Sequence, residues 1–325
     1  MSAGGGTRAI VAALLANLGI ATAKFIGWLL TQSSSMLAES VHSVADSGNQ
    51  ALLLVGARRA RRKATPQHPF GYGRERYIYA FIVAIVLFSV GGLFALYEAW
   101  HKWSHPEGID GWAWVPVAVL VIGIVLEGFS FRTAIVEAKR VRGSASWVDF
   151  VRHAKAPELP VVLLEDLGAL VGLILALFGV SMTLATGDGR WDAAGTAMIG
   201  LLLVVIAVIL AVETKSLLIG EGARPEDMAM IERAIAAGGH RIIHMKTLHL
   251  GPDELLVAAK IGVSPEATAD EVARDIDSTE ARIREAVPIA RVVYLEPDIH
   301  RSVGSGAQTI DGGQRGDGAP LTAGA

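Results

Sequence analysis

The chain has 325 residues, 52% of them hydrophobic, with a mean hydropathy of +0.43 and a formal net charge of −3. That balance marks a membrane protein, and it lacks the basic excess that nucleic-acid binding demands. The sequence has no cysteine, which excludes disulfides, thiolate zinc sites and cysteine nucleophiles.

Six apolar segments, near 9–30, 36–57, 77–100, 112–135, 159–182 and 192–214, reach the roughly 20 residues a helix needs to cross a bilayer. The first follows Arg8 and is too long for a signal-peptide core, so it reads as a retained span. It carries Asn17 and Lys24, and Lys24, near one end, is expected to snorkel toward the interface. The second follows the serine-rich turn Ser33-Ser34-Ser35. At helical pitch it puts Glu39, His42, Asp46 and Asn49 on one face, with His42 and Asp46 one turn apart. The third contains Gly91-Gly92, where a neighbouring helix can approach closely. The fourth, from Trp112, carries Glu127, and the fifth carries the adjacent acids Glu165-Asp166.

The loops carry an orientation signal. Arg58, Arg59, Arg61, Arg62, Lys63, Arg74 and Arg76 lie between segments two and three, and Lys139, Arg140, Arg142, Arg152 and Lys155 between four and five. The other connections hold few basic residues. The positive-inside rule then places the basic loops and both termini in the cytoplasm of a plasma or inner cell membrane.

Beyond Lys215 the composition turns soluble. The pattern predicts an amphipathic helix over Pro225–Ala237, a strand over His244–Leu250, a turn at Gly251-Pro252-Asp253 and a returning strand over Glu254–Val263. A second helix over Thr268–Ala286 opens on a Thr268/Glu271 capping box, and a third strand covers Arg291–Leu295. This is a small α+β domain in αββαβ order. From Ser302 the chain is Gly, Ser, Asp and Gln with little to bury and is expected to be disordered. The expected organisation is a transmembrane domain over 1–215, an α+β domain over 216–301 and a tail over 302–325.

Ionisable groups inside spans are costly there and usually line an ion or proton path. A polar face packed on a partner helix is the competing reading for span two, and an interhelix hydrogen-bond pair for Glu165-Asp166. If spans two and five face each other, they gather one imidazole and up to three carboxylates. Those donors suit zinc, and equally manganese, iron or cobalt. Metal ligands bind deprotonated, so metal entry releases protons, the chemical basis for exchanging one against the other. Glu127 reads as a relay group or as the partner of a base.

Taken together, the sequence resembles the cation diffusion facilitator family of divalent-metal exporters over about residues 8–300. The resemblance rests on six spans, the His42-x-x-x-Asp46 motif after a serine-rich turn, acids in span five, the αββαβ domain, and His68-Pro69-Phe70-Gly71-Tyr72-Gly73-Arg74 before span three. It implies a homodimeric metal:proton antiporter working by alternating access. It implies a transport site of His42, Asp46 and Asp166; the family's usual fourth position is Val162 here, which leaves Glu165 or a water as the fourth ligand. Glu39 and Glu127 would line the path. In the family's second site, Thr65, His68 and Tyr72 stand where Asp, His and His are usual, which leaves His68 as a secondary candidate. In the α+β domain His244 matches one ligand, while Lys260, Tyr294 and Glu296 fill the later ligand positions. His249 and His300 read as surface residues. Arg74 matches a residue of a charge interlock between protomers, with Glu221 as candidate partner.

The expectation is therefore an exporter of a divalent cation, zinc first, with no tightly bound cofactor and the metal as substrate. Manganese, iron or cobalt export is the alternative within transport, and a membrane metal sensor or scaffold the alternative outside it. Nothing in the sequence forms a nucleophile–base or phosphate-binding constellation, so an enzyme is not expected.

Overall fold

A computed structural model describes residues 18–106 and 114–299. Asn17 and the start of the first expected span, Trp112 at the start of the fourth, His300 and the tail from Ser302 lie outside the described residues.

Within them, helix α1 runs Leu18–Thr31 and turns sharply into α2, Ser34–Ala60. At the turn Gln32 takes a φ of 52°, a left-handed conformation uncommon for a residue with a Cβ. Lys102 Nζ donates to the Gln32 carbonyl at 3.0 Å and holds it. Ser33 caps α2, its hydroxyl accepting from Met36 N at 3.3 Å. Helix α3, Glu75–Ser104, carries a π-helical stretch at Leu87–Leu93. Then come α4 (Trp114–Arg142), α5 (Trp147–His153), α6 (Glu158–Thr186) and α7 (Arg190–Ile219). Gly187, with φ of 72°, ends α6 in the left-handed turn that glycine favours.

Helices α3, α4, α6 and α7 are long and apolar enough to cross a membrane. The described part of α1 is too short to qualify alone. Helix α2 is too polar, because Ser34, Ser35, Glu39, His42, Asp46 and Asn49 interrupt it. Four of the six expected spans are therefore met by length and composition. Helix α5 is an addition to the expected elements. Ser146 caps it, accepting from Asp149 N at 3.0 Å, and seven residues are too few for periodicity to register.

Small residues set the helix packing. A Cβ at Gly92 would stand 2.7 Å from Val204 Cγ2, and one at Gly200 2.8 Å from Leu96 Cγ, so α3 and α7 approach at glycine on both sides. Met36, Leu87, Leu173, Ile199 and Leu203 form the buried centre of this bundle.

After α7 the chain forms α8 (Pro225–Ala236), β1 (Arg241–Gly251), β2 (Glu254–Val263), α9 (Ala269–Ala286) and β3 (Val292–Ile299). Sheet order is β1-β2-β3, antiparallel between β1 and β2 and parallel between β2 and β3. Leu255, Val257, Ala259 and Ile261 alternate inward from β2 and pack on Ile231 and Ile235 of α8 and Ile283 of α9. The Thr268/Glu271 capping box forms as expected.

The junction between the two regions is polar and close. Gly73, just before α3, touches Gly251 backbone to backbone, and a Cβ on Gly73 would lie 2.7 Å from the Leu250 carbonyl. Arg76 grips both oxygens of Glu158 at the start of α6 and donates to Asp253 Oδ2 in the β1–β2 turn at 2.8 Å. Within this chain Glu221 is paired with Lys155. Burial works against the Glu221 carboxylate, but hydrogen bonds from Lys155 and Ser216 with the Lys155 charge outweigh it and hold the group below the usual range.

Candidate metal site

Helices α1, α2, α4 and α6 enclose a cavity of about 20 Å³, room for a single water or ion. Asp46, Ser43 and Gln50 of α2 line it with Glu127 and Ser130 of α4, Asp166 of α6 and Ile20 of α1. Helical spacing explains the lining. Ser43, Asp46 and Gln50 recur at intervals of three and four, Glu127 and Ser130 at three, so each helix turns one polar face inward. Ser130 Oγ donates to Asp166 Oδ2 at 3.0 Å and fixes that carboxylate.

The expected ligands divide. Asp46 and Asp166 share the cavity. His42 is 1% exposed, with Nε2 3.4 Å from Asp46 Oδ2. Neither His42 nitrogen makes a hydrogen bond, and Asp46 Oδ1 is likewise buried and unbonded. The ring lies beside α3, where a Cβ on Gly91 would be 3.8 Å from Nδ1. Glu165 is not among the residues lining the cavity and accepts from Asn49 Nδ2 at 2.7 Å. Among the described residues, no three His, Asp or Glu side chains close on one point as a metal-holding group. Asp46 Oδ1, unbonded and buried, therefore belongs to a cavity of ion size, with the unbonded His42 ring beside Asp46 but outside the cavity lining.

Two expectations about charged groups are corrected. Lys24 does not snorkel: it is 2% exposed and turned inward, donating to Glu39 Oε2 at 2.9 Å and Ser43 Oγ at 2.8 Å. The Glu39 carboxylate is engaged by that ammonium and is not among the residues lining the cavity. The physical reason is direction. Lys24 lies toward one end of its segment, but on the helix face that meets α2, where a carboxylate offers a nearer partner than water.

Sequence reasoning missed three contributors. Ser130 and Gln50 could have been found by stepping three from Glu127 and four from Asp46. Asp192 could not. It is fully buried at the start of α7, accepts from Ser33 Oγ at 3.0 Å, Ser34 N at 2.7 Å and Ser35 N at 3.3 Å, and so binds the serine-rich turn to α7. This carboxylate at the N-terminus of α2 meets the helix's free N–H groups.

The secondary candidates stay apart. His68 is exposed in the loop before α3 and stacks on Tyr72 with centroids 4.6 Å apart, while Thr65 shares a hydrogen bond with Tyr72. His244 is exposed on β1 opposite Lys260. Lys260 Nζ lies 2.8 Å from Glu296 Oε1 and 3.4 Å from Asp298 Oδ2, so an ammonium already stands between the acids of that face. His249, expected on the surface, is 1% exposed. It lies with Leu250 in the buried end of β1, and its backbone N–H donates to the Glu221 carbonyl at 2.8 Å, which folds the α7–α8 connection over it.

Four helices long and apolar enough to cross a membrane, packed with a small cavity lined by polar groups, define a multi-pass membrane protein. The model of the cation efflux transmembrane domain matches residues 10–219, and the chain belongs to that family, the cation diffusion facilitators. It is similar to the mitochondrial proton-coupled zinc antiporter SLC30A9 of Xenopus laevis, 30% identical over 243 residues, which is 73% of this chain and 43% of that protein. Metal tolerance protein C4 of Arabidopsis thaliana is 31% identical over 231 residues, 69% of this chain and 49% of that protein. The metal cation efflux system protein CzcD of Cupriavidus metallidurans is 26% identical over 239 residues, 72% and 68% of the two chains. The chain thus spans less than half the length of the mitochondrial relatives it matches. Their names overturn the expected plasma or inner cell membrane location, since the SLC30A9 proteins of mouse, frog and human are all mitochondrial. Loop charge reports orientation, not which membrane a chain enters.

Proposed function

We propose that this protein is a divalent-cation:proton antiporter with zinc as its first substrate, working as a homodimer with six spans formed by α1 to α4, α6 and α7. Asp46 and Asp166 hold the ion in the cavity, and His42 completes the set by swinging its ring from beside Gly91. Ser130 orients Asp166, and Glu127 serves proton or water traffic at the cavity wall. The domain after α7 is the dimerisation unit. The observation carrying this reading is the pair of carboxylates from two helices lining one ion-sized cavity, next to a buried imidazole with no hydrogen bond. Its chemistry is simple: these donors bind metal deprotonated, so loading expels protons and unloading recovers them. Antiporter and efflux activities among the relatives support the same direction.

The test is zinc, manganese and cobalt uptake into proteoliposomes across a pH gradient. Wild type is expected to move zinc only with the gradient. Asp46→Ala and Asp166→Ala should each abolish flux while the protein still inserts and elutes at its native size. Undiminished flux in either variant would remove that residue from the site.

A further inference from the structure

The charge buried on α1 has no part in the reading above. Lys24 Nζ touches Ser43 Oγ, and Ser43 lines the cavity with Asp46 and Asp166, so the ammonium stands one hydroxyl behind the cavity wall. Its other partner, Glu39, lies one turn farther along α2 toward the Asp192 end. Room for this arrangement is cleared by glycine: a Cβ at Gly172 would meet Glu39 Oε1 at 2.6 Å. Glu39 Oε1 is fully buried and makes no hydrogen bond. A buried ion pair with one oxygen unbonded contributes little net stability, because desolvation offsets the attraction.

We propose that Lys24 is an affinity-setting residue, a fixed positive charge that Glu39 holds at the cavity wall to weaken cation binding between Asp46 and Asp166. This rests on reading the cavity as a cation site. An ion pathway needs binding favourable enough to admit the ion and weak enough to release it. Two carboxylates and an imidazole away from water attract a divalent ion strongly. A like charge behind Ser43 opposes that attraction from a place where it blocks no ligand. The pair forms a dipole with its positive end at the cavity and its negative end a helical turn away.

Two variants move the charge in opposite directions. Lys24→Met with Glu39→Gln removes both charges and leaves no unpaired ion. Glu39→Gln alone leaves the ammonium uncompensated. Zinc binding to the purified full-length protein is measured by calorimetry, and zinc flux in proteoliposomes gives KM and turnover. The double variant is expected to bind zinc about tenfold more tightly, the remainder left when the repulsion of Lys24 at an effective dielectric near 20 is largely cancelled by the attraction of Glu39 a few ångströms farther off. Its KM and turnover should fall together. Glu39→Gln alone should bind zinc more weakly and raise KM. A purely structural pair predicts instead that the double variant recovers wild-type affinity, and that result would overturn the proposal. So would equal, same-sign shifts in both variants. Loss of flux in wild type with zinc binding intact would count against antiport, while the binding series would still decide the role of Lys24.

Discussion

At the scale of single residues, the proposed site depends on side chains that hold its candidate ligands. Ser130 shows the effect most cleanly, because its hydroxyl donates to Asp166. Ser130→Ala should lower zinc affinity by about 10- to 100-fold, the usual effect of removing a group that orients a metal ligand. Calorimetric titration checks it, and unchanged affinity would show that Asp166 needs no such support. The burial of His42, Asp46 and Asp166 inside the bundle was legible in the sequence, because all three interrupt apolar segments where charge is expensive. The orientation of Glu165 was not. Two adjacent acids on a helix point about 100° apart, and it takes Asn49 on another helix to hold one of them, Glu165, by a hydrogen bond.

Among elements, the turn between α1 and α2 and the start of α7 act as one unit. Asp192 receives the serine hydroxyls and two backbone N–H groups, and Lys102 from the end of α3 fixes the turn from the other side. Asp192→Ala would leave several buried donors without a partner, at about 1–3 kcal/mol for each one left unsatisfied. The expected result is a lower melting temperature in detergent, with zinc affinity at the distant cavity little changed. A melting temperature equal to wild type would show that water replaces the carboxylate. Local signals predicted the elements well: the Thr268/Glu271 capping box and the alternation in β2 need only near neighbours. Contacts such as Ser34 to Asp192 join residues 158 apart, and Lys24 was misread for the same reason. Position along a segment says how far a lysine lies from the interface, not which helix it faces.

Across the whole molecule, the sheet domain meets the bundle through a small set of polar contacts. His249 lies at that junction. Burial holds its imidazole below the ordinary value, and the Gly251 carbonyl offsets this only in part. It is therefore neutral when folded. A histidine with a lowered folded pKa contributes stability that is full above about pH 6.5 and is lost as pH falls toward the folded value. Thermal unfolding of the full-length protein between pH 5 and 8 should show a steeper acid loss for wild type than for His249→Gln, and parallel profiles would overturn this assignment. The Arg76 grip has a wider consequence. One guanidinium joins the start of α3, the β1–β2 turn and Glu158, and Glu158 begins the helix that bears Asp166 eight residues, about 12 Å, farther on. Arg76 is thus a tiller post between the two regions: any swing of the β1–β2 turn would reach α6 through this one guanidinium.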